Sequence, residues 1–133
     1  MRMMARRGFT LVELMVALAL ATLLVASAWP SYRAQLLRAA RTDAVEALMR
    51  LQLAQEKLRA ATGLYGGHAG ALGGERSRQG LYAIDVRRTG AESYVASASA
   101  LGGQADDREC AVITLEVDQG TSRHGPSPRC WNR

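Results

Sequence analysis

Two cysteines, two histidines, one isolated glutamate and a scatter of arginines carry the chemistry this 133-residue chain could offer. Cys110 and Cys130 both fall in the last quarter, where an even pair at this spacing suits a disulfide in an exported domain. Two free thiols are the alternative. A zinc site fits less well, because His68 and His124 are the only imidazoles and no CxxC or HxxxH pairing exists. The run Gly66-Gly67-His68-Ala69-Gly70 lacks the Gly-Lys-Ser/Thr and the preceding strand of a phosphate loop, so it reads as a flexible surface connection with His68 solvated in it. No Ser/His/Asp order and no paired carboxylates survive inspection, so no enzyme, metal or cofactor is expected.

Charge narrows the partners. The formal net charge is +5, with 17 basic and 12 acidic residues, and Arg2, Arg6 and Arg7 sit in the first eight positions. Removing those three leaves 14 basic residues and a balance near +2, weak support for a polyanion partner. The hydrophobic fraction of 48% is also uneven, since much of it lies in the first thirty residues. The remainder should have a thin core that needs a staple.

The apolar stretch runs from Phe9 to Trp29, interrupted by Thr10, Glu13, Thr22 and Ser27. Twenty-one helical residues reach roughly 31 Å, enough for a hydrocarbon core of about 30 Å. The preceding arginines hold the leader in the cytoplasm and send the bulk of the chain outward. An ordinary secretory signal is the rival reading, with Ala26-Ser27-Ala28 as its cleavage site. Glu13 argues against it: a carboxylate this near the start of a membrane helix costs on the order of 3 kcal/mol if uncompensated, and a simple signal peptide has no use for it.

Pro30 in Trp29-Pro30-Ser31-Tyr32 predicts a kink or partial break that ends the membrane span. Residues 34–62 hold no Gly or Pro and predict a helix, with a narrow apolar stripe at Ala47, Leu51, Ala54, Leu58 and Ala61. Arg41, Asp43, Arg50, Glu56, Lys57 and Arg59 are placed on its opposite face, and Gly63 stops it. The next eighteen residues hold seven glycines. Period two then sets in: Tyr82, Ile84 and Val86; a turn at Thr89 to Glu92; Tyr94, Ala96, Ala98 and Ala100; and a third strand from Cys110 to Val117, closed by Asp118-Gln119-Gly120. Residues 121–133 read as loop with little regular structure. The architecture expected is α+β: a long N-terminal helix, half membrane-spanning and half amphipathic, packed on three or four antiparallel strands. A bridge from Cys110 to Cys130 would close a 21-residue loop, a gain of about 3 kcal/mol by chain entropy.

The order of basic residues, then Gly8, Phe9, Thr10, Leu11, Val12 and Glu13, then an unbroken apolar helix, resembles the class III signal of type IV prepilins and pseudopilins. Further shared features are Pro30-Ser31-Tyr32, Arg41-Thr42, Gln55-Glu56, Thr114-Leu115 after Cys110, and a closing Cys130-Trp131; with these the chain resembles the PilE-type minor pilins of Gram-negative bacteria. The resemblance implies the type IV pilin fold with a disulfide-bounded C-terminal loop. It implies three segments: a leader at 1–8, a transmembrane and filament-core helix at 9–29, and an exported globular domain at 30–133. It implies cleavage between Gly8 and Phe9 by a prepilin peptidase, N-methylation of Phe9, and pairing of Glu13 with a neighbouring subunit's amino terminus during assembly. Partners would be other pilins, the peptidase, the inner-membrane assembly machinery and, before assembly, lipid. The protein would sit in the inner membrane first and in the extracellular pilus afterwards.

A minor pilin acting in assembly or initiation of a pilus for twitching or adhesion is the function expected. A type II secretion pseudopilin and a DNA-receptor pilin of natural transformation are the alternatives. For the receptor, Arg76, Arg78, Arg87, Arg88, Arg123 and Arg129 are the candidate DNA contacts; a solvated polar face is preferred for them because the mature charge is low. The mature chain is expected to begin at N-methylated Phe9, which mass spectrometry of the isolated protein will read directly; a start at Trp29 would reject the prepilin reading in favour of the Ala26-Ser27-Ala28 site.

Overall fold

The computed structural model describes residues 8–132. The leader residues 1–7 lie outside them. One helix, α1, runs from Leu11 to Thr62, and the chain divides into a unit up to Ala34 and a unit from Gln35 onward.

In the first unit the helix starts on a cap. Thr10 Oγ1 accepts the Glu13 backbone N–H at 3.2 Å, and the Thr10 carbonyl accepts from Leu14 at 3.1 Å, so a first-turn amide that would otherwise lack a partner is satisfied. The polar interruptions are folded back onto the helix: Thr22 Oγ1 donates to the Ala19 carbonyl and Ser27 Oγ to the Leu24 carbonyl, both at 2.8 Å. The apolar side chains themselves are exposed, and this stretch is long and apolar enough to cross a membrane. The break expected at Pro30 does not occur. Proline removes one backbone donor, but helix-compatible residues on both sides carry α1 through it. Such prolines are tolerated in membrane helices.

In the second unit the helix buries Ala44, Ala47, Leu48, Leu51 and Gln55, together with Arg41 and Asp43. The buried stripe therefore lies closer to the start of this segment than the one expected from sequence. Ala47 and Leu51 are central to it, Ala54 and Leu58 are partly buried, and Ala61 is exposed. Arg41 and Asp43 move from the expected solvent face into the interior because each finds a polar partner there.

Four antiparallel strands form a meander in the order β1-β2-β3-β4: β1 (Tyr82–Gly90), β2 (Ser93–Ala100), β3 (Val112–Asp118) and β4 (Thr121–Gly125). Alternation sends Tyr82, Ile84, Val86, Tyr94, Ala96, Ala98, Ile113, Leu115 and Val117 into one core with the helix. Cys110 lies in a short 3-10 turn, Arg108–Cys110, ahead of β3 rather than opening it. The tail is more regular than expected, with β4 and a 3-10 turn at Pro128–Trp131. Its alternation escapes a hydrophobicity reading because β4 is an edge strand whose inward residues are Ser122 and His124. The β3–β4 turn is tight: Gln119 and Gly120 both have positive φ, 47° and 81°, as a two-residue hairpin of this hand requires.

The glycine-rich segment 63–80 is a folded strap rather than a plain surface connection. Tyr65, Ala69, Leu72 and Ser77 are buried, and Gln55 clamps Gly66 by donating to its carbonyl at 2.9 Å and accepting its N–H at 2.7 Å. Arg76 then bridges Ala83 antiparallel, which covers the free edge of β1.

Polar fasteners close the unit. Cys110 and Cys130 are joined, with Cα atoms 5.5 Å apart. Arg41 donates to both carboxylate oxygens of Asp107, at 2.7 and 2.8 Å, and to the Arg129 carbonyl at 3.2 Å. Its pKa is raised by that hydrogen-bonded carboxylate, against the opposing effect of burial. Gln104 donates to the Leu37 carbonyl and to the Tyr82 hydroxyl, and Asn132 donates to Thr42.

Removing Asp107 leaves the buried Arg41 charge only the more distant carboxylate of exposed Glu109, 3.7 Å away, for compensation. Asp107→Ala is expected to cost about 3–5 kcal/mol in urea unfolding of the detergent-solubilised, disulfide-intact chain, whereas Arg41→Met with Asp107→Leu should lie near the parent. A loss below ~1 kcal/mol for Asp107→Ala would show that the pair contributes little to holding this end of the domain.

Candidate functional site

At the N-terminus Gly8, Phe9 and Glu13 are all exposed, with Phe9 at 77%. No atom lies within 4 Å of where a Gly8 Cβ would stand. The Glu13 carboxylate has no hydrogen-bond or ion-pair partner among the described residues; its role inside the helix is carried by its backbone N–H on Thr10. A carboxylate in a first helical turn is favoured by the helix dipole, so Glu13 is compatible with the helix although its side chain makes no polar contact within it among the described residues.

The six candidate arginines do not line one groove. Residues opposite each other in antiparallel strands share a face. The pairing rows therefore place Arg87 (β1), Val95 (β2), Glu116 (β3) and Arg123 (β4) on one line across the solvent face. Arg76, bridged to Ala83, shares that face. Between these cations lie the half-exposed hydroxyls of Ser97, Ser99 and Thr114, together with exposed Asp85 and Glu116. Thr114 opposes Gly125, where a Cβ would meet the Thr114 hydroxyl at 2.6 Å, so a side chain there would crowd this surface.

The other three arginines point elsewhere. Arg88, one residue on from Arg87, takes the opposite face and donates to the Tyr65 carbonyl at 3.5 Å. Arg78 is held by Glu46 of α1 at 3.4 Å. Arg129 is in the C-terminal 3-10 turn and, with Arg38, Arg41, Glu109 and Asn132, lines a polar depression of about 320 Å³. Arg76, Arg87, Arg123 and Arg129 have no ion-pair or hydrogen-bond partner for their side chains among the described residues.

Sequence reasoning missed a network on the helix side of the sheet, at its β1–β2 turn end. Arg59, near the end of α1, donates to the Tyr65 hydroxyl at 3.0 Å and to Glu92 in the β1–β2 turn at 2.9 Å, with its guanidinium 5.2 Å above the Tyr65 ring. The Tyr65 hydroxyl donates to Glu56 at 2.9 Å, and its ring meets Tyr94 edge-on. Burial pushes the Tyr65 phenol above its ordinary pKa, with the Glu56 hydrogen bond adding to it, and burial likewise pushes Tyr94 up. The signal available in the sequence was slight: Arg59 and Glu92 are 33 residues apart and follow no local period. Among the described residues no three His, Cys, Asp or Glu side chains gather as a metal set.

A long N-terminal helix packed over a four-stranded antiparallel meander, with a disulfide near the C-terminus, is the type IV pilin fold. The family model described as "Type IV minor pilin ComP, DNA uptake sequence receptor" matches residues 30–114, and the prokaryotic N-terminal methylation motif matches residues 3–29. The chain belongs to this type IV minor pilin family, whose members are filament subunits rather than enzymes. No individual curated protein matches it. As a prepilin with an apolar N-terminal helix it resides in the inner membrane and then in the pilus, and its partners include other pilus subunits and the prepilin peptidase.

Proposed function

We propose that this minor pilin is a DNA receptor of natural transformation, presenting the solvent face of its sheet to incoming DNA. The observation that carries the reading is the sharing of one face by three unpaired arginines, Arg76, Arg87 and Arg123, in a chain matched by a family model described as a DNA uptake sequence receptor. This reverses the preference for a plain assembly subunit, which rested on the low mature charge. Net charge governs long-range attraction, whereas docking on a phosphate backbone depends on where a few guanidiniums stand. Arg87 and Arg123 are three strand spacings apart, about 14 Å at the backbone. That separation is comparable with the major-groove width of about 12 Å, so their side chains suit phosphates on either side of one groove. Val95 and Glu116 stand between the two arginines in that row, and the Ser97 and Thr114 hydroxyls in the next row supply neutral donors for nearby phosphate oxygens. Arg78 and Arg88, engaged with Glu46 and the Tyr65 carbonyl, are given secondary places, and Arg129 lies off this face.

Assembly uses the other end of the chain. The peptidase cuts between Gly8 and Phe9, Phe9 is methylated, and Glu13 pairs with the amino-terminal charge of a neighbouring subunit, which offsets the cost of its burial in the filament. Residues 9–29 serve as anchor first and filament core afterwards, and residues 30–133 form the displayed domain.

Binding of the detergent-solubilised chain to a short labelled DNA duplex, measured across a salt series, tests the receptor reading. Arg87→Ala and Arg123→Ala should each weaken binding and lower the slope of log K against log salt by about 1, with Arg78→Ala changing it less. No binding by the parent chain at low salt, or slopes unmoved by either substitution, would reject it.

For assembly, Glu13→Ala should insert in the membrane and be cleaved, yet be scarce in sheared pili. Its recovery in pili at the parental ratio to the major subunit would remove the role assigned to Glu13.

A further inference from the structure

Of the arginines that face solvent, two stand on separate hairpins, Arg87 near the end of β1 and Arg123 as the third residue of β4, just past the β3–β4 turn. Both hairpins turn at the same end of the sheet, and Glu92 there contacts both the other turn and the helix. The Glu92 carbonyl, in the β1–β2 turn, accepts the Gln119 N–H of the β3–β4 turn at 3.0 Å. Its carboxylate accepts from Arg59 of α1 at 2.9 Å. Arg59 is itself held on a second side by the Tyr65 hydroxyl and ring, and Tyr65 is 1% exposed and bonded to Glu56. A surface ion pair gains little when both side chains must be ordered to form it; here Arg59 is ordered already, so Glu92 docks on a prearranged donor.

We propose that Glu92, through Arg59, is a positioning residue for DNA binding: its carboxylate anchors the β1–β2 turn to the helix end, its backbone carbonyl passes that anchor to the β3–β4 turn, and the turn ends of the two hairpins that bear Arg87 and Arg123 are thereby held in place. The inference rests on the receptor reading and deepens it. Glu92 itself does not touch DNA. The sign of its effect sets this role apart from a plain charge effect. An acid beside a polyanion site weakens binding by repulsion, so neutralising it strengthens binding. An acid that holds the site in shape does the reverse.

The experiment is the same salt series on the detergent-solubilised full chain with a short labelled DNA duplex, comparing Glu92→Ala, Arg59→Ala and the double variant Arg59→Ala/Glu92→Ala. Asp85→Asn serves as an exposed acid on the same face with no positioning role. Glu92→Ala is expected to bind about threefold to fivefold more weakly, while Asp85→Asn binds more tightly. The double variant has the parental net charge, so a pure charge effect predicts parental affinity. Positioning predicts that it stays as weak as Glu92→Ala, the two losses being non-additive. The salt slope should be unchanged in Glu92→Ala, since no phosphate contact is removed. Thermal unfolding should stay near the parent, because the buried Arg41–Asp107 pair and the disulfide lie in other parts of the domain. Tighter or unchanged binding by Glu92→Ala, or parental binding by the double variant, overturns the inference while leaving the receptor reading intact. Absence of DNA binding by the parent chain overturns both.

Discussion

A guanidinium removed from water must be met by an anion and by acceptors for its remaining donors, and the globular unit is organised around one such group. Arg41, 5% exposed, is reached by Asp107 from the loop between β2 and β3 and by the carbonyl of Arg129 from the C-terminal turn. The loop offers little buried apolar surface to hold it in place, and the C-terminal turn is anchored by Trp131 and Cys130 alone. Asp107 stands three residues before Cys110, and Arg129 one residue before Cys130, so the disulfide brings to Arg41 the two segments that satisfy it. The bond and the ion pair are therefore one device. Removing charge from water is costly and adds little net stability when compensated, but it specifies which helical turn, which loop and which tail must meet.

That specification matters because the core is thin. Ala96 and Ala98 on β2 and Ala44 and Ala47 on α1 are small contacts, and the large buried side chains are few: Trp131, Tyr65, Tyr82 and Tyr94 are the aromatic ones. Two of these tyrosines bring polar ends into the interior and draw further fasteners with them: Gln104 on the Tyr82 hydroxyl, Arg59 and Glu56 on that of Tyr65. Hydrogen bonds to fixed partners replace some of the precision that dense apolar packing supplies elsewhere.

The meander then separates two duties by alternation. Its inner face is given over to holding the helix. Its outer face carries Ser, Thr, Arg and acidic residues with Ala83, Val95 and Val112 among them, and its polar types are free to answer to a partner. The first unit shows the complementary situation, an apolar helix whose large side chains are exposed in a single chain. Such a surface is matched first by lipid and then by neighbouring subunits, as the family's passage from membrane to pilus requires.

Much of this was legible in the residues alone. A span of Phe9 to Trp29 with a glutamate five residues after a glycine is a local pattern whose cost in hydrocarbon can be reckoned without a fold. Strict alternation along residues 82–100 and 113–117 gave away the strands, because period two survives whatever packs against them. The two cysteines pointed to their own bond by number and spacing. Tertiary structure decided what depends on distant partners. Arg41 and Asp43 look like solvent residues until Asp107 and the amide of Gln79 are brought to them. Residues 63–80 look like a tether until Gln55, Leu72 and the edge of β1 give their glycines something to lie against. β4 has no apolar alternation to betray it, and its pairing with β3 follows from a two-residue turn. The six arginines, equal as letters, are sorted by strand register into three that share a solvent face and three that do not. Periodicity and burial cost act over a few neighbouring residues and so can be read in order along the chain, whereas a polar group's partner is chosen by folding from anywhere in it.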